Sequence, residues 1–359
     1  MGSSQSNEGN SDAAALDGKQ PDAFDGISSL VFPTFEDHHI EKKYELGAVL
    51  GAGAFAEVRL ATYKKTGTTY AVKCIKKQGL DELTKADLMD EVAVLREMAH
   101  PNVVNVYQFY PREKDHFYVI MEYMKGGELF ERIVAKQVYT EKEARAVCRV
   151  LLATVRYLHD HDVVHRDLKP DNLLLTSDAD DANIKLADFG FAKKLDGQKL
   201  TQLCGTPNYI APEILLHEPY GVTVDMWSLG CIIYILLGGY LPFVDDNQTR
   251  LFRKIRNGAY SFHPEYWSDI SDEAKDLIRG CLNVDAEKRL TAAQAMEHPW
   301  LAVSDDCLGG NCLDKSLERL QLFNARRKLR GAIRTVMTAR HCARQWNAVA
   351  DDKPTAPAS

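Results

Sequence analysis

The chain has 359 residues, a formal net charge of -7, 45% hydrophobic and 26% charged residues, ordinary values for a folded globular protein that exclude an intrinsically disordered chain. Mild acidity argues against nucleic acid as the main partner, and no apolar run reaches the ~18 residues of a membrane span. Eight cysteines are scattered without CxxC pairs or zinc-type His spacing, and no signal peptide opens the chain, so reduced thiols in the cytoplasm or nucleus are expected.

Residues 1–43 are rich in Ser, Asp, Gly and Ala, lack apolar periodicity, and predict a flexible tail. Its opening MGSSQS fits the pattern for myristoylation at Gly2, with Ser6 in the fifth place after Met removal, although patterns this short also arise by chance. One acyl chain binds membranes only at K of about 10⁴ per molar, and the tail supplies no second anchoring signal, so at most weak membrane association is expected.

From Tyr44 the pattern changes. YELGAVLGAGAFAEVRLATYKKTGTTYAVKCI alternates apolar and polar residues around a glycine cluster and TGTT, which predicts successive antiparallel strands. In GAGAFAEV, Gly51 and Gly53 allow close approach of a phosphate chain, and Val58 is placed to cover a planar base; the third glycine of a GxGxxG pattern is replaced by Ala56. The loop lies between strands, not between a strand and a helix as in a dinucleotide fold, and AVK follows with Lys73 on the next strand. The helical run ADLMDEVAVLREM carries Asp90, Glu91 and Glu97.

The middle of the chain holds VVHRDLKPDN at 163–172, LADFG at 186–190 and GTPNYIAPE at 205–213, three motifs in order. With the glycine loop they make the segment 44–301 resemble a eukaryotic protein kinase. The resemblance implies an α+β, bilobal fold: a small antiparallel-β lobe with one main helix (44–121), a hinge (122–126), and a larger, mostly helical lobe (127–301). Phosphoryl transfer passes through a loose transition state, so an enzyme of this class works by positioning and electrostatics. By similarity, Lys73 holds the ATP phosphates and Glu91 fixes Lys73, with Asp90 and Glu97 as rivals on the same helix. Asn172 and Asp188 hold Mg2+, Asp167 orients the substrate hydroxyl, and Lys169 steadies the transferred phosphate. Leu50, Gly51, Ala52, Gly53, Ala54, Phe55, Ala56, Glu57, Val58 and Ala71 line the nucleotide, with Met121 gating the pocket and Glu122 and Met124 in the hinge. Any one of these residues alone would read as a solvated Lys, a turn Asp or a locally paired Glu; it is their joint order that carries the reading. A pseudokinase scaffold would lack some of Lys73, Asp167, Asn172 and Asp188, and all four are present.

Other motif residues are expected to be structural: Glu213 pairing with Arg289, Asp225 capping backbone around HRD, and HPW at 298–300 ending the final helix of the domain. Lys169 and GTPNY resemble Ser/Thr kinases. Glu128 in GGELF and Asp171 stand where basophilic kinases hold an Arg upstream of the target Ser/Thr, a carboxylate being able to grip guanidinium bidentately. A helix N-terminal acid favoured by the macrodipole is the competing reading of Glu128.

Beyond Trp300, LDKSLERLQLFNARRKLRGAIRTVMTAR spaces Leu313, Leu317, Leu320, Phe323, Leu329, Ile333, Val336 and Met337 mostly by three or four, an amphipathic helix with six Arg or Lys and no acid over 324–340. FNARRKLRGAI resembles the calmodulin-binding segment of calcium/calmodulin-dependent protein kinases, especially type II. The resemblance implies an autoinhibitory and calmodulin-binding segment at 302–344, released by calcium-loaded calmodulin, with Leu329, Ile333 and Met337 as anchors. Moving a switch from 1:99 to 99:1 takes about 5.5 kcal/mol, within reach of two or three apolar anchors at about 1.5 to 3 kcal/mol each. The departures are specific. Thr338 stands nine beyond Leu329, so Met337 or Val336 must serve; Ser316 falls where type II enzymes autophosphorylate but has Leu313, not Arg, three before it; and Gln202 stands where type I enzymes carry an activating Thr, with Thr201 one residue off. The stretch 345–359 predicts a second flexible tail, and with no association domain in the sequence a monomer is expected. A constitutively active kinase whose basic tail merely packs or touches a membrane is the alternative.

Overall fold

The computed structural model describes residues 39–52, 56–80, 82–179, 181–305, 308 and 310–331. The small lobe is a five-stranded antiparallel sheet in the order β1-β2-β3-β5-β4, built from β1 (Tyr44–Ala52), β2 (Ala56–Tyr63), β3 (Thr69–Lys76), β4 (Val106–Tyr110) and β5 (His116–Met121). Register places Gly51 opposite Val58, and Val58 opposite Lys73, so the glycine strand and the lysine lie in one row across the sheet. The short helix α1 (Ile40–Lys43) precedes β1, and α2 (Glu82–Glu97) packs one sheet face through Leu88 and Val92.

The large lobe is helical because its sequence stops alternating and adopts a 3.6-residue period. In α4 (Glu141–Asp160) the residues Ala144, Cys148, Leu151, Leu152, Val155 and Leu158 share one buried stripe, and a reciprocal Thr140–Glu143 capping box fixes its start. The helix α6 (Thr223–Gly238) is apolar on all sides and is buried on all sides, the central pillar of the lobe. It follows α3 (Leu129–Val134) and α5 (Pro212–Leu215), packs against α4 and α9 (Asp272–Cys281), and is followed in the chain by α7 (Gln248–Arg256), α8 (Pro264–Trp267), α10 (Ala292–Met296) and α11 (Pro299–Ala302). Two small two-stranded sheets, β6 (Val163–Val164) with β9 (Lys193–Lys194) and β7 (Leu173–Leu175) with β8 (Ile184–Leu186), frame the motif loops. The HPW at 298–300 begins a helix where the sequence suggested an end: His298 caps α11, because a proline at the first helical position lacks only an N–H that has no partner there anyway.

A final helix spans 314–331. Leu308, Leu313, Leu317 and Leu320 are at most 6% exposed and belong to the same core as α4 and α6. Gly239, left-handed at φ +79° as it closes α6, makes the approach possible: a Cβ there would lie 2.4 Å from the Ser316 carbonyl oxygen.

Candidate active site

Lys73 on β3 and Asp188, just past β8, are brought together at 3.1 Å from opposite lobes. Burial alone would raise the Asp188 carboxyl, but the Lys73 ammonium, by charge and hydrogen bond, holds it below the ordinary carboxylate range. The backbone of Asp188 is left-handed, φ 57°, a conformation that costs a non-glycine residue and persists only where surroundings enforce it. Of the candidate partners for Lys73 on α2, Glu97 is excluded: it pairs with Lys194 at 3.0 Å. The side chains of Asp90 and Glu91 lie outside the described residues, as do Gly53, Ala54 and Phe55 of the glycine loop.

Asp167 is 3% exposed and sits at the centre of the second group. Its carboxylate pairs with Lys169 and accepts from the Thr206 hydroxyl at 2.6 Å; Lys169 reaches the same hydroxyl at 3.4 Å. Asn172 donates its amide nitrogen to the Asp167 carbonyl at 2.9 Å. That leaves the amide oxygen of Asn172 as the group able to face a cation. The loop is held from below by Asp225, wholly buried, which accepts from the His165 and Arg166 amides at 2.8 Å each and from His159 at 3.1 Å. Burial would raise the Asp225 carboxyl, and these bonds, led by His159, keep it below the ordinary range. Arg166 takes a left-handed φ of 68°, which the Asp225 clamp enforces immediately before Asp167. Burial pushes His165 below the usual imidazole value and so favours its neutral form. The Glu213–Arg289 pair is buried and bidentate, at 2.6 and 2.9 Å.

At the hinge, Glu122 donates its amide to the Asn105 carbonyl at 2.9 Å, and its carboxylate pairs with Lys185 at 2.7 Å. Ala71 is opposite Met121 in the sheet, and Leu50, Gly51, Ala52, Ala56, Glu57 and Val58 lie on the paired strands β1 and β2 beside it; Met124 is half-buried in the turn before α3.

Glu128 is the N-cap residue of α3, yet its carboxylate makes no cap bond and turns instead to the final helix. There Arg327, 11% exposed, pairs with Glu128 and, at 2.8 Å, with Asp171, while Lys328 pairs with Glu131. Phe323 approaches Phe130 at 6.4 Å between ring centroids, and Arg319 lies over Tyr266 at 3.9 Å and Tyr240 at 4.7 Å. The helix and the lobe enclose a cleft of about 450 Å³ lined by Lys169, Asp171 and Thr206 from the motif loops and Arg326, Arg327 and Arg330 from the helix. Leu329 is 62% exposed and Leu322 59% exposed, both off the packed face. Ser316 is 2% exposed, beyond the reach of another active site while the helix is docked. Ile333 and Met337 lie outside the described residues. Three contributors were not singled out from sequence: Thr206, inside the GTPNY motif but given no role; Gly239, whose signal was a Gly-Gly pair after an apolar helix; and Arg319, a cation at a position where only charge was read.

A two-lobed α+β fold that sets a lysine and an aspartate from opposite lobes beside a buried Asp–Lys–Thr cluster defines a phosphotransferase. The protein kinase domain family matches residues 44–301. The calcium/calmodulin-dependent protein kinase type 1 of Macrobrachium nipponense is 47% identical over 264 residues, 73% of this chain and 76% of that protein, and its counterpart in Caenorhabditis elegans is 47% identical over 264 residues, 73% and 75%. The type II alpha chain of Drosophila melanogaster is 42% identical over 298 residues, 82% of this chain and 56% of its own. The chain belongs to the protein kinase family, as an ATP-using Ser/Thr kinase of the calcium/calmodulin-dependent group.

Proposed function

We propose that this chain is a basophilic Ser/Thr kinase that acts with Mg-ATP, is held off by its helix 314–331, and is released by calcium-loaded calmodulin. The observation that carries the reading is the position of Arg327 between Glu128 and Asp171, the two carboxylates that would grip the upstream Arg of a protein substrate. A basic side chain of the enzyme's own helix stands where the substrate's would, so substrate and helix exclude each other.

In the open state Asp167 would accept a hydrogen bond from the incoming hydroxyl and align it, and general-base action of this kind contributes about 10² to 10⁴ in rate. Thr206 and Lys169 fix the carboxylate on one side, which keeps it aimed. Lys73 would neutralise phosphate charge, with Glu91 orienting it. The hard oxygens of Asp188 and Asn172 suit Mg2+, which takes one or two protein ligands and completes its octahedron with phosphates and water; bound there, it would neutralise charge on the transferring phosphate.

Release need not involve the whole segment. Leu313, Leu317 and Leu320 are core residues, and exposing three leucines costs roughly 4.5 to 9 kcal/mol, comparable to the whole ~5.5 kcal/mol that a full switch requires. The helix therefore stays docked to about Leu320 and opens beyond it. Leu322 and Leu329, already facing solvent amid Arg326, Lys328 and Arg330, offer apolar anchors and positive charge to an acidic, Met-lined partner. The test is phosphorylation of an Arg-x-x-Ser peptide with and without calcium/calmodulin. Stimulation supports control by the helix; equal rates mean a constitutive kinase; and no rate in either condition with Mg-ATP supplied means a scaffold.

A further inference from the structure

Arg166 is the residue before Asp167, and its guanidinium is buried, the whole residue being 7% exposed. A buried guanidinium needs acceptors, and in protein kinases a phosphate on the activation loop is a general way of ordering that loop through arginine. In this chain the acceptors are neutral and already in place. Nη1 of Arg166 donates to the Gln202 side-chain oxygen at 3.1 Å and to the Tyr220 hydroxyl at 3.3 Å, and its Nε donates to the Phe191 carbonyl. The Tyr220 hydroxyl donates in turn to the Gln202 backbone carbonyl at 2.7 Å. Leu200 and Tyr220 exchange both backbone hydrogen bonds, at 2.9 and 2.8 Å, which pins the same segment a second time. Gly205, at φ +107°, then carries the chain over Arg166 so closely that a Cβ would stand 2.8 Å from the Arg166 carbonyl oxygen. One residue later Thr206 donates to Asp167.

We propose that Gln202 is a positioning residue that makes the activation segment self-ordering, so that catalysis needs no phosphate on this segment. The amide oxygen supplies the acceptor that a phosphate would otherwise bring, and Arg166, held between Gln202 and the Asp225 clamp, keeps Asp167 and Thr206 in register. Thr201 is exposed, and its phosphorylation is not needed for the register. The inference rests on the kinase activity alone and is independent of control by calmodulin.

The test uses the full chain, stripped by a broad-specificity phosphatase and shown by mass spectrometry to carry no phosphate, assayed with and without calcium/calmodulin. The rate is expected to be unchanged by the phosphatase. Gln202→Leu is expected to lower kcat by about ten- to a hundred-fold, as misplacement near reacting groups does, with KM for ATP nearly unchanged. Gln202→Glu, whose carboxylate accepts from the same guanidinium, is expected to hold kcat near the parent value. A phosphatase-treated chain that is inactive until Thr201 is phosphorylated would overturn the proposal. So would equal losses in the Leu and Glu variants, which would mean packing alone, or no loss in the Leu variant. Should Gln202→Leu not fold, the phosphatase arm still decides. A chain that ignores calmodulin but passes these comparisons would remove the calmodulin switch and leave this inference standing.

Discussion

Replacing Arg327 by Ala tests whether the final helix competes for the substrate's arginine subsite. Arg327 is 11% exposed, its Glu128 partner 29% and its Asp171 partner 45%. A hydrogen bond to a charged group is worth about 1.5 to 3 kcal/mol when sheltered, while the half-exposed Asp171 pair is screened to at most about 1 kcal/mol. A net loss of about 2 kcal/mol, near the low end of that range, shifts the closed-to-open equilibrium roughly thirty-fold. A resting population of about one open molecule in a hundred would then rise to about one in four. The assay is the initial rate on an Arg-x-x-Ser peptide without calcium, compared with the rate under saturating calcium/calmodulin. The basal rate of Arg327→Ala is expected to climb steeply and the stimulated rate to stay at the parent level. Arg327→Lys, which keeps the charge but loses the fork that spans two carboxylates, is expected to fall between. An unchanged basal rate in Arg327→Ala would refute the reasoning, because it would mean that the two carboxylates are open to substrate while the helix is docked.

Gly239→Ala forces a side chain into the Ser316 carbonyl and the base of the Arg319 side chain at a left-handed position, costing at least about 1 kcal/mol, and is expected to raise the basal rate and lower Tm. Leu329→Ala removes an exposed anchor, so calmodulin affinity measured by titration is expected to fall about ten-fold or more while the basal rate stays put. Asp225→Asn unclamps the catalytic loop and is expected to cost about 3 kcal/mol, a Tm drop of roughly 6 to 12 °C by calorimetry. The Asp225 carboxyl is depressed in the folded protein, so its contribution is complete above its ordinary value of 3.8 and is lost as pH falls through the folded value. The Tm gap between parent and Asp225→Asn is therefore expected to be constant near neutrality and to close in acid below pH 3.8.

The catalytic cluster was legible because its chemistry demands particular side chains at short spacings: HRDLKPDN places Asp167, Lys169 and Asn172 on one turn, and DFG places Asp188. The Asp225 clamp and the Glu213–Arg289 pair join residues far apart in the chain and were legible only through the resemblance to protein kinases. The packed face of the final helix was legible only to Phe323. Beyond it the lobe presents Glu128 and Asp171, so the inward positions are polar, Asn324 and Arg327, and the hydrophobic period that would mark them is missing. Leu329, read as one more member of the apolar stripe, consequently faces solvent. Gln202 looked like the loss of a regulatory hydroxyl, and only the folded loop puts its amide on Arg166. Glu97, a rival for Lys73 on the same helix, is drawn off by Lys194 from the β9 strand, a long-range contact that no local pattern encodes.

The most direct measurement is KM for two peptides that differ only in the upstream residue, Arg or Ala, each determined on the full chain with and without calcium/calmodulin. A helix whose Arg327 occupies the arginine subsite predicts that calmodulin lowers KM strongly for the Arg peptide and far less for the Ala peptide. Identical KM values for the Arg peptide in both conditions would contradict the account.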